Sequence, residues 1–213
     1  CLLSSGSGVR ISSGAPFFIM GDQEFSIAAF YKFTKISLLC ELQTEFYEFL
    51  ESLSIKGTVL LAEEGINGTV SGSSESIDKF KNFLFEKDLL SESDFKVSSA
   101  DFMPFPRLKV KLKKEIVTIG NCEINPGKKV GEYVDPLDWN QLITDEDVLV
   151  LDTRNTYEVS IGSFEGAIQP ETTNFREFPE WAETEGAKLP KDKKIAMFCT
   201  GGIRCEKASS LLK

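Results

Sequence analysis

The stretch from Ile195 to Lys207 limits the fold more than any other part of the chain. Ile195-Ala-Met-Phe198 is short and wholly apolar, the mark of a buried strand in a parallel sheet. Cys199 follows at once, and then Thr200-Gly201-Gly202, where glycine admits backbone angles closed to other residues. From Arg204 to Leu212 the pattern predicts a helix with Ala208, Leu211 and Leu212 on one side. Strand, tight loop and helix in that order belong to an α/β sheet, which binds its ligands at the carboxyl ends of the strands.

A cysteine in that position is favoured as a thiolate. Backbone N–H groups of the loop form an anion nest, the helix N-terminus adds partial positive charge, and Arg204 adds a full one. The plain alternative is a buried free cysteine at a strand end. The chain has no histidine, which excludes a Ser-His-Asp triad, a Cys-His dyad and histidine-based zinc or iron sites. Any activation of Cys199 must therefore come from amides, dipole and arginine. No metal-ligand set and no dinucleotide fingerprint is visible, so no cofactor is evident. The five cysteines, at 1, 40, 122, 199 and 205, are odd in number and irregularly spaced. That argues for free thiols in a reducing compartment, with a cytoplasmic location as the expectation.

Residues 1–23, with Ser4-Ser-Gly-Ser-Gly and a second Ser-Ser-Gly at 12–14, read as a leader or an addition outside the fold. Periodicity then predicts a strand over Phe25–Phe33, a helix over Ser37–Leu53 and a strand over Lys56–Ala62. A hairpin turn is expected at Glu64-Gly-Ile-Asn67-Gly68, then a helix capped by Ser73 or Ser74 and running to about Glu86. The strand 107–113 completes a β-α-β-β-α-β, ferredoxin-like set, giving an α+β first domain over 24–120. The second domain, 121–213, is expected to be parallel α/β. Asp135-Pro136 starts a helix, Val148–Leu151 is an apolar strand ending at Asp152-Thr-Arg154, and Phe175–Thr184 is a helix. Asp152 and Arg154 are expected to form a structural ion pair near the loop.

The net charge of −9 speaks against nucleic acid, but it hides an uneven distribution. Residues 105–133 carry seven cations, Arg107, Lys109, Lys111, Lys113, Lys114, Lys128 and Lys129, against three glutamates. Along 107–113 the pattern has period two, with Leu108, Val110 and Leu112 facing one way and the four cations the other. That face is a candidate for phosphate contacts beside the Cys199 mouth, with Lys128 and Lys129 extending it. The alternative is a solvated strand face.

The spacing Cys199-x-x-x-x-Arg204 resembles the active-site loop of rhodanese-like sulfurtransferases. The cysteine phosphatases have one residue more, and their register would put Phe198 in the cysteine's place. Leu151-Asp-Thr-Arg154, Tyr157-Glu158 and Gly162 to Ala167 carry the same likeness, although Gly162-Ser163 stands where many rhodaneses have glycine-histidine. The family continues past the helix after the loop, so the second domain is expected to be incomplete at Lys213.

A closer likeness joins both halves. Ala29–Phe33, Lys56–Ala62, Glu64–Thr69, Met103–Phe105, Arg107–Val117, Val150–Asn155, Phe175–Pro179 and Phe198–Ala208 resemble the rhodanese-related tRNA uridine hydroxylases. The resemblance implies oxygen-dependent formation of 5-hydroxyuridine at the wobble position of tRNA. Molecular oxygen is then a co-substrate and the anticodon region the partner; separately, no apolar run in the sequence is long enough to cross a bilayer, so no membrane partner is expected. It implies Cys199 and Arg204 as catalytic residues, Thr200, Gly201, Gly202 and Ile203 as their loop, and Asp152, Arg154 and Cys205 in support. The alternatives are a persulfide-forming sulfurtransferase and a non-catalytic rhodanese-like binding module.

Overall fold

A computed structural model describes residues 24–121 and 123–213; the expected leader, with Cys1, and Cys122 lie outside the described residues. The first half runs β1 (Phe25–Phe33), α1 (Leu39–Ser52), β2 (Lys56–Ala62), β3 (Gly65–Gly72), α2 (Ser74–Glu86), β4 (Phe95–Ala100) and β5 (Leu108–Leu112). They form one sheet in the order β4-β1-β3-β2-β5, with β5 parallel to β2 and the other pairs antiparallel.

The β-α-β-β-α-β set is present, but its fourth strand is β4 beside β1. Residues 108–112 form a fifth strand on the opposite edge. The expectation that 107–113 closes the set is thus corrected. Phe95-Lys-Val-Ser-Ser-Ala is an edge strand with four exposed residues, and little apolar alternation marks it in the sequence. The hairpin turn is also displaced. Ala62 pairs with Gly65, so Glu63 and Glu64 make a two-residue loop, and Asn67-Gly68 lies inside β3. Gly68 is required there for packing: a Cβ would stand 2.6 Å from the Phe30 ring.

Both helices cover one face of the sheet. Phe46 and Leu50 of α1 and Ile77, Phe80 and Leu84 of α2 pack on Ala28, Phe30, Val59, Leu61, Ile66 and Val70. Each such large side chain contributes about 1.5–3 kcal/mol on burial. The Ser73 hydroxyl caps α2 by accepting from Ser76 N at 3.1 Å. The other face of the sheet carries no helix of this domain and is half-exposed.

The second half has α3 (Pro136–Ile143), β6 (Val148–Asp152), α4 (Thr156–Val159), α5 (Phe178–Thr184), β7 (Lys194–Phe198) and α6 (Ile203–Leu212). Asp135 caps α3, with Pro136 in its first turn, as expected. Strands β6 and β7 are parallel neighbours, and Ile168 bridges to Leu151. Leu151, Phe175, Phe178, Trp181 and Ala208 form the core, joined by Ile119 and Ile124 from the connection.

The two halves meet through a buried ion cluster. Lys207 of α6 has no exposed side-chain surface, and its Nζ lies 2.5 Å from Glu115 Oε2 and 2.9 Å from Glu64 Oε2. Glu115 also accepts from Ile119 N and Gly120 N, and Glu64 accepts from Ile116 N at 2.6 Å. Among the described residues no helix is long and apolar enough to cross a membrane.

Candidate active site at the Cys199 loop

Parallel pairing of β6 and β7 brings Asp152 level with Phe198, so both strand ends open on the same side. Thr153 pins them together, donating N–H and Oγ1–H to Phe198 O at 3.0 and 3.1 Å. The loop from Cys199 to Gly202 then turns into α6. Gly202 has φ +94°, and a Cβ on it would lie 2.6 Å from Tyr31 Oη, so backbone angle and close approach both require glycine. Its N–H donates to Cys199 Sγ at 3.0 Å.

Cys199 is held as a thiolate, its pKa lowered to about 5. The largest cause is a hydrogen bond from the Cys205 thiol. Burial opposes it, while backbone N–H groups of Cys205 and Gly201 and the charge of Arg204 assist it. Cys205 is pushed the opposite way by the same bond, by burial and by the neighbouring negative charge. Its sulfur also lies 3.5 Å from Thr153 Oγ1. The surroundings thus drive the two groups apart, Cys199 towards the thiolate and Cys205 towards the thiol. The alkylation rate of Cys199 should rise through an inflection near pH 5 and be flat by pH 7. An inflection at 8–9, where free thiols titrate, would contradict this.

Arg204 faces the loop, as expected, but its fork is filled. Nη1 and Nη2 grip Glu158 Oε2 and Oε1 at 2.5 and 2.7 Å, and Nη2 reaches Thr200 Oγ1 at 3.4 Å. Glu158 also accepts from Thr200 Oγ1 and from Asn155 N. The Arg204 bonds, opposed by burial and aided by these others, lower its pKa to about 2. Arg204 therefore acts on Cys199 by charge while Glu158 fixes its direction. Arg204→Lys keeps the charge but cannot grip both oxygens. It should slow alkylation at pH 6 several-fold with little change in unfolding midpoint; wild-type rates would show that the fork is dispensable.

Asp152 and Arg154 pair as expected. Arg154 Nε and Nη2 lie 2.9 and 2.7 Å from the Asp152 oxygens, and Nη2 also donates to Gly162 O at 2.7 Å. Ser163, in the place where many rhodaneses have histidine, donates to Asp152 Oδ2 at 2.8 Å. Burial penalises the Asp152 carboxylate, but these bonds outweigh it and hold its pKa below the usual range. The pair braces the strand end and does not touch Cys199.

The first domain also reaches the loop. Lys96 Nζ of β4 donates to Gly201 O at 3.2 Å, and Tyr31 of β1 lies against Gly202. Tyr133 donates to Glu206 on α6, and burial and Glu206 push both tyrosine pKa values up. The basic strand lies elsewhere than expected. Lys109 and Lys111 do share one face of β5, flanked by Arg107 and Lys113, but β5 is the edge opposite β4. Lys96, not β5, stands at the loop. Lys128 is exposed on the connection, and Lys129 donates to the Lys213 carbonyl.

Sequence reasoning missed Glu158, Lys96 and Tyr31 as loop partners. Glu158 three places after Asn155 is a capping box, but nothing local ties it to Arg204, 46 positions away.

Residues 25–116 match the family described as UPF0176 acylphosphatase-like domain, and residues 135–213 match the rhodanese-like domain. A protein of Bartonella quintana (strain Toulouse) is 51% identical over 192 residues, covering 90% of this chain and 63% of its own length. One of Picosynechococcus sp. is 50% identical over 190 residues, covering 89% and 63%. One of Agrobacterium fabrum is 48% identical over 190 residues, covering 89% and 60%. All three bear the name tRNA uridine(34) hydroxylase. The chain thus spans less than two thirds of the length of these relatives.

Proposed function

From a chain that joins a UPF0176 acylphosphatase-like domain to a rhodanese-like domain, we propose a tRNA-modifying enzyme that hydroxylates uridine 34. The name borne by relatives at about 50% identity supports this reading. The observation that carries it to particular residues is the Cys199 thiolate, bonded by Gly202 N–H and Cys205 in a loop open at the strand ends. Cys199 is the proposed reactive group. Arg204 and Glu158 hold its electrostatic setting, and Thr200, Gly201, Gly202 and Ile203 shape the loop. Asp152 and Arg154 keep the strand end in place. Molecular oxygen is the proposed co-substrate, one atom going to uridine C5 and the other to water with two electrons from a separate reductant, and the wobble base enters unpaired, as single-stranded RNA bases can. Arg107, Lys109, Lys111 and Lys113 are proposed to bind the RNA backbone, with Lys128 and Lys129 as outlying cations.

The sulfurtransferase reading rests on the same loop and the same Cys199 sulfur. Incubating the protein with tRNA bearing an unmodified uridine 34 and an added two-electron reductant separates the readings. Hydroxylated uridine, formed in air and not under argon, is expected. Thiolated uridine formed from thiosulfate without air would overturn the proposal.

A further inference from the structure

The face of the five-stranded sheet that the helices leave uncovered has a consistent charge pattern. Cross-strand register defines its rows. One runs Lys96, Ala29, Thr69, Thr58, Lys109 from β4 across to β5. A second begins at Tyr31 and ends at Lys111, and a third ends at Lys56 on β2. Alternation places every one of these positions opposite the buried set Ala28, Phe30, Val59, Val70 and Val110. Within β1–β5 no position on this side is Asp or Glu, in a chain of net charge −9. The row from Lys96 to Lys109 crosses four strand gaps, about 19 Å. Its middle, Ala29, Thr69 and Thr58, is small, half-exposed and uncharged.

The Cys199 loop stands at one end of this floor. Lys96 touches Gly201 O, and Tyr31 fills the space beside Gly202. The connection crosses near Asn67, whose Nδ2 donates to Ile116 O at 2.9 Å. The row from Lys96 to Lys109 is thus a shallow track without acids of its own strands, cationic at both edges and leading to the reactive sulfur, while Glu206 at Tyr31 and the Lys207 cluster at Phe33 bound it on one side.

We propose that this open sheet face is the docking surface for a single-stranded RNA segment, which crosses the strands from the β5 edge to Lys96 at the Cys199 loop. The inference rests on the tRNA reading above and adds the path and the residues. Small central side chains let the backbone lie close, and the lysines of the two edges meet phosphates several nucleotides apart. A sheet face is an established platform for unpaired RNA. Lys56 and Lys96 join Lys109 and Lys111 as contacts, and β5 alone is only one rail of the track.

The test is binding of labelled unmodified tRNA and of a labelled oligouridine at 50 and 200 mM salt. Lys56→Glu/Lys96→Glu should weaken both about tenfold and reduce the salt slope by roughly 1.4, two single-strand contacts. A control with the same charge change, Lys79→Glu/Lys191→Glu, should bind nearly as wild type. Thr69→Glu removes no cation but puts an acid mid-track, and it too should weaken binding. Unfolding midpoints establish that each variant is folded. If wild type binds RNA and both track variants bind equally well with the same slope, the path is wrong while the tRNA reading stands. If wild type binds neither RNA, both fall. Polyglutamate displaced from the protein no more easily than oligouridine would show a track for acidic peptides and overturn the proposal.

Discussion

Cys199→Ser is expected to abolish uridine modification, with a loss on the order of a thousandfold or more, while Cys205→Ser loses about tenfold or less. The difference follows from which sulfur carries the charge. Cys199 is the thiolate and Cys205 its donor. A serine at 205 still offers an O–H to the Cys199 sulfur. Cys205→Ala offers nothing from its side chain, so the Cys199 pKa should rise, though the loop amides and Arg204 keep it below that of a free thiol. Activity of the alanine variant should then fall more at pH 6 than at pH 8. Initial rates of all three variants at both pH values check this. Equal losses at 199 and 205 would mean that the two sulfurs share the chemistry.

Lys207→Met should cost about 3–5 kcal/mol of folding free energy, measured by denaturant unfolding. The ammonium is wholly buried and lies between Glu64 and Glu115, whose side chains are 19% and 4% exposed. Without it two carboxylates face each other with only backbone N–H groups to satisfy them. Burial raises the Glu115 pKa, but Lys207 and the Ile119 and Gly120 amides together set it below the usual value. The stabilisation from Glu115 is therefore full above its unfolded pKa of about 4.3 and is lost as pH falls through the depressed folded value. The gap between wild type and variant should be widest near neutral pH and narrow on acidification, since without Lys207 burial raises the Glu115 pKa and its stranded carboxylate protonates earlier. Adding Glu64→Gln and Glu115→Gln to Lys207→Met should recover part of the loss. A neutral Lys207→Met would show that the cluster does not join the halves.

The sequence disclosed elements where one period dominated. Strand β2 occupies Lys56–Ala62 as expected, α2 starts after Ser73, and β7 meets α6 across the glycine loop. Each has an apolar face with a single repeat or a cap that announces its start. Strand β4 had neither, because an exposed edge strand needs no apolar alternation, and the basic strand was given its place in the sheet. That exchange moved the cations of 107–113 to the wrong edge and hid Lys96. Asn67-Gly68 read as a turn because the dipeptide favours one, but Gly68 is there to admit the Phe30 ring. In the site, Cys199, its glycines and the Asp152–Arg154 pair were legible because their partners are close in sequence. Glu158 on Arg204, Tyr31 on Gly202 and Lys207 on Glu64 and Glu115 depend on packing between distant segments, which no local pattern encodes.

The most direct measurement takes tRNA from cells that lack this protein and from the same cells with it restored, digests it, and reads the nucleoside at position 34 by mass spectrometry. Hydroxylated uridine and its derivatives should vanish in the first sample and return in the second, with thiolated uridine unchanged in both. Unchanged hydroxylation in the deleted cells, or loss of thiolated uridine instead, would contradict the proposal that this chain takes part in uridine 34 hydroxylation.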